Sequence, residues 1–93
     1  MSFLIWKTRI ESATGNIVAV RACADGAEPW FWVEAGFIVQ MIKQGITFNT
    51  YREVGKDDWR KGARVEVYND KFLRTVANST EKDNLESLPT EKV

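Results

Sequence analysis

The sequence predicts an α+β fold, a small antiparallel sheet of about five strands with one helix packed on one face. Several short segments alternate between apolar and polar residues, as half-buried strands do. One stretch alone has apolar residues at helical spacing, and turn-forming sequences separate the strand-like segments. At 93 residues, with 44% hydrophobic and 28% charged side chains, the chain has the size and composition of one globular domain.

The first quarter of the chain predicts a β-hairpin over residues 3 to 23. Alternation along the first segment places Leu4, Trp6, Thr8 and Ile10 on one face, and the Trp6 indole is expected to point into the core. Residues 13 to 16, ATGN, are typical of a turn. Residues 17 to 23 are rich in β-branched side chains and would return antiparallel to the first strand.

The predicted helix covers residues 33 to 44. Its apolar positions recur every three or four residues, and Gly45 follows where a left-handed C-terminal cap is usual. Its start is poorly signalled, because neither Phe31 nor Trp32 has a side-chain oxygen to accept from the first free amide groups. Gly36 inside it costs about 1 kcal/mol relative to alanine.

The second half predicts three more strands, at residues 46 to 53, 63 to 68 and 72 to 76. A polar loop over residues 54 to 62 would separate the first two, and Asn69-Asp70 suits a tight turn between the last two. We therefore expect one domain over residues 1–77. The polar tail, residues 78–93, is expected to dock on it through Leu85 and Leu88.

The C-terminal third carries a recognisable pattern, Lys71-Phe72-Leu73-Arg74-Thr75 and later the segment DNLESLP at residues 83–89. It resembles the ending of a family of short bacterial and phage proteins classed as a domain of unknown function. Members of that family close with Tyr-Leu-Arg-Thr and then Asp-Asn-Leu-x-x-Leu-Pro. Phe72 replaces the usual Tyr, and the polar residue expected before the helix is absent. The resemblance implies a compact domain, places Arg74, Asn84 and Leu85 at motif positions, and implies no activity.

Composition argues against most catalytic chemistry and against bulk electrostatic binding. The chain has no histidine, so triads of the Ser-His-Asp or Cys-His kind are excluded, and no catalytic residue, metal site or cofactor is predicted. The lone Cys23 is expected to be a small core residue, while Asp57-Asp58 is expected to be a solvated loop rather than a metal site.

Thirteen basic residues balance thirteen acidic ones, which disfavours long nucleic acid as a partner. The first residues are too short an apolar run to target or span a membrane, and a cytoplasmic protein is expected.

The aromatic residues are the informative feature. If residues 30 to 32 are extended, Phe31 points to the face opposite Trp30 and Trp32. Either Phe31 is buried with the two tryptophans exposed, or the reverse. Trp59, inside the charged stretch KDDWRKG, either folds back on the core or presents its ring outward beside Arg60.

These patterns lead to a hypothesis of a non-catalytic binding protein for a small anionic, base-bearing ligand, such as a nucleotide or cyclic nucleotide signal. Aromatic rings would stack on the base, and arginines would hold the charge. A phage-type role in sequestering such a signal, and assembly as a homo-oligomer, are part of this hypothesis. The alternative is a protein–protein interaction module that uses exposed Trp and Arg as hot spots. The candidate ligand-binding residues are Trp30, Trp32, Trp59, Arg60, Arg64, Arg74 and Asn84. For Arg74 and Asn84 an ion pair with the tail and a backbone hydrogen bond remain the alternative roles.

Overall fold

The computed structural model describes residues 2–25, 29–76 and 84–93. The fold is α+β as predicted, with one α-helix in this part of the chain, but the sheet has seven strands rather than about five. The elements in chain order are β1 (Ser2–Ile10), β2 (Ile17–Ala24), β3 (Phe31–Glu34), α1 (Ala35–Lys43), β4 (Thr47–Gly55), β5 (Asp58–Tyr68), β6 (Phe72–Thr75) and β7 (Thr90–Lys92), with a 3₁₀ turn at Leu85–Ser87 before β7.

The sheet is mixed, which corrects the prediction of an antiparallel sheet. Its strand order is β3-β2-β1-β4-β5-β6, and β7 pairs with β1. β1 runs antiparallel to β2 but parallel to β4 and to β7. The parallel β1–β4 pair arises because α1 carries the chain back across the sheet to the other edge of β1, as crossover connections do.

The predicted first hairpin is confirmed, but its alternation is interrupted by a β-bulge. Ile5 opposes Ala22, whereas Lys7 opposes Arg21, so Trp6 is an extra residue in β1. A bulge shifts the residues that follow it by one position, and a one-residue shift exchanges the two faces of a strand. The expectation that one face carries every second residue from 4 to 10 is therefore wrong.

Helix α1 covers one face of the sheet and forms the main core with it. Ile38 and Phe48 are 1% exposed, at the centre of this core. Leu85 and Leu88, from the C-terminal segment at residues 84–93, are also buried in this core. The predicted boundary at residue 77 lies outside the described residues. The other buried members are Ile5, Val20, Ala22, Ala35, Val39, Val65 and Leu73.

The residues before the helix form a short strand, which corrects the predicted helix start at residue 33. β3 pairs with β2 from Phe31 opposite Ala22 to Glu34 opposite Ala19. Glu34 is extended, with φ −63° and ψ 141°, and its side chain makes no capping hydrogen bond, so the weak start signal in the sequence corresponds to a real absence of a cap. The sequence did not predict this strand, because three of its four residues are apolar in succession and only Glu34 is polar, so no alternation is visible.

The helix ends as predicted. Gly45 has φ +91°, and its amide donates to the carbonyl of Ile42 over 2.9 Å. This left-handed residue satisfies carbonyl groups that the last turn leaves free. No helix in the described part of the chain is long and apolar enough to cross a membrane.

The predicted polar loop at residues 54–62 is wrong, since β4 and β5 form one continuous hairpin. Lys56 and Asp57 make its turn, with Asp57 at φ +58°, and Trp59 pairs with Glu53. The hairpin extends beyond the helix-covered core, so neither of its strands carries the regular apolar alternation that marks a half-buried strand. The tight turn predicted at Asn69-Asp70 is confirmed by positive φ angles at both residues.

The two helix glycines give a matched test of this backbone description. Gly45→Ala places a Cβ at a left-handed residue and is expected to lower the free energy of unfolding by about 1 kcal/mol. Gly36→Ala, in a right-handed helical position with open space around it, is expected to raise it by up to about 1 kcal/mol. Urea denaturation followed by circular dichroism measures both; equal effects of the two substitutions would contradict the left-handed cap.

Candidate functional site

The sheet face opposite α1 carries all four tryptophans of the chain together with Tyr51. Strand alternation accounts for this placement. Ile5, Phe31 and Thr50, which are next in the chain to Trp6, to Trp30 and Trp32, and to Tyr51, lie on the helix side. We call this surface the aromatic face and define it by Trp6, Trp30, Trp32, Tyr51 and Trp59.

Four of these rings form a closed group, which we call the aromatic quartet. Trp6 meets Trp30 and Trp59 edge to face, with centroids 5.8 and 6.0 Å apart. Tyr51 stacks on Trp59 at 5.3 Å and lies 6.1 Å from Trp30. Each ring thus contacts two others in geometries that aromatic pairs prefer. All four side chains are half-buried.

The quartet has a structural role beneath its exposed surface. Leu4 and Cys23 are cross-strand partners on the aromatic face, yet they are only 3% and 6% exposed. Trp30 directly precedes Phe31, which pairs with Ala22, so its ring is placed next to Cys23. The rings therefore form a second, smaller core on this face, and Cys23 is buried as expected.

The arrangement of residues 30 to 32 follows one of the two predicted alternatives. Phe31 is 60% exposed on the helix side of β3. Trp30 and Trp32 are half-buried on the aromatic face. Phe31 and Trp32 are extended as part of β3, and Trp30 directly precedes that strand.

Trp32 lies apart from the quartet and already stacks with arginine. The guanidinium carbon of Arg9 is 4.1 Å from its ring centroid, and that of Arg21 is 5.8 Å away. Arg9 also donates from Nε to Glu91 over 2.7 Å, which ties β1 to β7. Such cation–π contacts hold the indole in place.

A cleft of about 440 Å³ lies beside the quartet, where β1 exchanges β4 for β7 as its neighbour. The rings of Trp6, Tyr51 and Trp59 border it on the side of the sheet. Residues 87–89 form the opposite wall of the cleft. The Thr8 amide donates to the Pro89 carbonyl, and this hydrogen bond holds that wall in place. The volume is in the range of small-molecule sites, about 300 to 1,000 Å³.

The cleft also has polar groups. Arg52 and Glu53 line it. The Trp6 Nε1 atom is buried and has no hydrogen-bond partner among the described residues. A buried indole N–H without an acceptor is uncommon and costs free energy.

Two arginines face each other across the β4–β5 hairpin. Arg52 pairs directly with Arg60, and Arg60 is exposed. Like charges placed opposite each other in an antiparallel pair are destabilising. Arg52 lines the cleft and Arg60 is not among its lining residues, and each directly follows in the chain one of the stacked rings of Tyr51 and Trp59.

The other predicted charge-holding residues lie elsewhere on the sheet. Arg64 is exposed and pairs with Asn49 on β4. Arg74, on β6, donates from Nε to Glu66 over 2.7 Å, and its guanidinium carbon is 5.1 Å from the ring centroid of Tyr68. Arg74 lines a different cleft, of about 430 Å³, and is not among the residues that line the cleft beside the quartet.

Asn84 has a local hydrogen bond. Its Oδ1 atom accepts from the Thr75 hydroxyl over 3.2 Å, which links the end of β6 to the segment before the 3₁₀ turn. The expected partners were an acidic residue of the tail for Arg74 and a backbone group for Asn84. The structure pairs Arg74 with β5 and Asn84 with a side chain. Asn78 and Asp83 of the sequence pattern lie outside the described residues.

Two surface ion pairs involve other charged residues of the fold. Lys61 donates to Asp25, and Lys43 donates to Asp70. These hydrogen bonds to lysine lower the pKa of each aspartate below its usual value. Asp57 and Asp58 are exposed at the hairpin turn, and within the described ranges no three His, Cys, Asp or Glu side chains are grouped to hold a metal ion.

Sequence reasoning missed three cleft residues, Trp6, Tyr51 and Arg52. A signal for two of them was present, because an aromatic residue precedes an arginine both at 51–52 and at 59–60. Had the hairpin been recognised, pairing Arg52 with Arg60 would have placed Tyr51 and Trp59 at diagonal positions on the same face. Trp6 was missed because the alternation groups it with Leu4 but does not show that their face is the one opposite the helix.

The chain belongs to the DUF3892 family, described as proteins of unknown function, whose family model matches residues 5–89. The expected membership of an uncharacterised family is thereby confirmed. No curated protein and no solved structure matches the chain. The family description carries no activity, so a function has to be argued from the site itself.

The covering role of the quartet can be tested through Cys23. Trp30→Ala is expected to accelerate labelling of the native thiol by Ellman's reagent about tenfold or more, because local opening then exposes it more often. Trp32→Ala removes the same side chain from a position that pairs with Arg21 and serves as the control. If both variants label at the wild-type rate, the indole of Trp30 does not cover Cys23.

Proposed function

We propose that this protein is a non-catalytic binding module that captures a small anionic ligand bearing an aromatic base, such as a nucleotide or a cyclic nucleotide. The ligand binds in the cleft between the β4–β5 hairpin and residues 87–89. The observation that carries the proposal is the combination of Tyr51, Trp59 and Arg52 at one cleft, with Arg60 paired to Arg52 on the neighbouring strand.

The rings supply the affinity for a base. Stacking of a nucleobase on an aromatic side chain contributes about 1 to 3 kcal/mol. The stack of Tyr51 and Trp59 and the edge-to-face contact with Trp6 hold the rings in place before a ligand arrives. Little conformational entropy is then lost on binding.

The arginines supply the affinity for an anion. A phosphate beside Arg52 gains charge-assisted contacts from its guanidinium group, and Arg60, the cross-strand partner of Arg52, adds positive charge nearby.

The size and charge of the protein favour a small ligand over a polymer. The cleft has the volume for one compact molecule, and the chain has as many acidic as basic residues. Affinity for long nucleic acid rests on many phosphate contacts, which such a balance does not supply. Binding without turnover suits a protein that sequesters a nucleotide signal, including the phage-type role suggested by the C-terminal pattern.

The candidate residues then take different parts. Trp59 lines the cleft and contacts the ligand, Arg60 lies opposite Arg52 beside the cleft, and Trp30 supports the rings through its contact with Trp6. Trp32 offers a second stacking position beside Arg9. Arg64, Arg74 and Asn84 remain candidates at the margins of the sheet, outside the group of residues that line this cleft.

Calorimetric titration with mononucleotides, cyclic dinucleotides, the matching nucleosides and inorganic phosphate tests the proposal. We expect a nucleotide to bind more tightly than its nucleoside or phosphate alone, and to quench tryptophan fluorescence. Trp59→Ala should weaken binding by about 5- to 150-fold, the equivalent of one stacked base. Silence across the whole panel would overturn the proposal.

A charge-matched pair of variants separates the cleft from general electrostatics. Arg52→Gln/Arg60→Gln is expected to weaken nucleotide binding by about 10- to 100-fold while leaving nucleoside binding unchanged. Arg64→Gln/Arg74→Gln removes the same charge outside the cleft and is expected to have little effect. Equal losses in the two double variants would show that the ligand does not bind beside Arg52.

The second candidate function is a protein–protein interaction module, in which exposed Trp and Arg act as hot spots. The contact of Trp32 with Arg9 and Arg21 favours it, because these residue types dominate interface energies. It predicts a protein partner whose binding is lost on Trp32→Ala, together with no calorimetric response to any small ligand.

A further inference from the structure

A different surface lies on the helix side of the sheet, where β3 meets α1. Phe31 is 60% exposed and Phe37 is 58% exposed. In the described part of the chain, the only other large hydrophobic residue so exposed is Val93. The two phenyl rings border a groove of about 300 Å³ whose described lining residues are all uncharged, among them Val33 and Met41.

Strand β3 presents an open edge beside this groove. Within the described ranges, β3 pairs with β2 on one side and has no strand on the other. The backbone groups of such an edge are a template for another strand. β3 contains neither Lys nor Pro, the residues that often block pairing at an edge.

We propose that a second copy of this chain docks on this surface, through antiparallel pairing of β3 with β3 of the partner around a two-fold axis at Trp32.

The position of the axis follows from strand geometry. Directly opposed residues of antiparallel strands lie on the same face, so a two-fold axis perpendicular to the sheet passes through a residue and not between two residues. An axis at Trp32 allows pairing from Trp30 to Glu34. An axis at Val33 would carry the pairing into α1, which begins at Ala35.

This register makes the surface complementary to itself. Phe31 is opposite the partner's Val33, which lines the groove of the partner. Each copy therefore supplies both a projecting ring and a groove, as a contact between identical surfaces requires. The chain carries thirteen basic and thirteen acidic residues, so two copies do not repel each other through net charge.

The exposed rings supply a substantial part of the area that a stable dimer buries. An aromatic side chain offers about 150 to 250 Å², so four rings exposed by more than half would bury on the order of 400 to 500 Å². The groove walls, the paired strands and their flanks would bring the total toward the about 1,200 to 2,000 Å² of standard interfaces. The two aromatic faces would then form one continuous surface, with the two copies of Trp32 adjacent.

Sedimentation velocity and light scattering over a micromolar to millimolar concentration series test the dimer. Wild type is expected to dimerise, and Phe31→Glu/Phe37→Glu is expected to weaken dimerisation at least about 100-fold. Val93→Glu adds a charge at an equally exposed apolar residue outside the groove, and it should dimerise as wild type does. A wild-type chain that stays monomeric over the series would overturn the proposal, as would a dimer that resists the double substitution.

A crosslink tests the axis even if the glutamate variants fail to fold. In a Cys23→Ser background, Trp32→Cys places two thiols across the axis, where opposed Cα atoms about 4.5 to 5.5 Å apart suit a disulfide. Mild oxidation is expected to give a covalent dimer from this variant. Lys71→Cys, exposed in the β5–β6 turn, is expected to give none. Absence of the Trp32→Cys crosslink, or equal crosslinking of both variants, would overturn the register.

Discussion

The structure depends on β1, because this strand pairs with three others and changes neighbour halfway along one edge. Its first four residues pair with β4, and its last three pair with β7. The bulge at Trp6 lies between the two sets of pairs. Bulges bend a strand and increase its twist, so the next strand on that edge cannot follow β1 over its whole length. Beyond the bulge β4 pairs only with β5, and β7 pairs with β1 in place of β4.

That exchange connects the fold to the proposed site. The space between the departing hairpin and residues 87–89 is the cleft, and the bulged Trp6 is at its inner side. Leu85 and Leu88 anchor the C-terminal segment in the main core, so the far side of the cleft is supported by packing. The same residues that complete the fold therefore shape the surface on which a ligand would bind.

The tryptophans of the quartet contribute both to the core and to the candidate binding surface. The quartet covers Leu4 and Cys23 and so contributes to stability, while its members remain half-exposed beside the cleft. For a chain of 93 residues this double use has a physical basis, because a small domain buries a smaller fraction of its surface and has few apolar side chains to spare. Phe31 and Phe37 differ, since neither the helix nor the sheet of the same chain covers them.

Local sequence was sufficient for the features that local chemistry controls. The first hairpin, the single helix, the left-handed Gly45 and the turn at Asn69-Asp70 follow from residue type and spacing, and so do the opposite directions of Phe31 and Trp32. Tertiary structure alone decided the bulge, the parallel pairs of β1, the extension of the β4–β5 hairpin and the meeting of Trp6 with Trp59. These features depend on contacts between residues far apart in the chain, and the energy of such a contact does not appear in the pattern of either segment by itself.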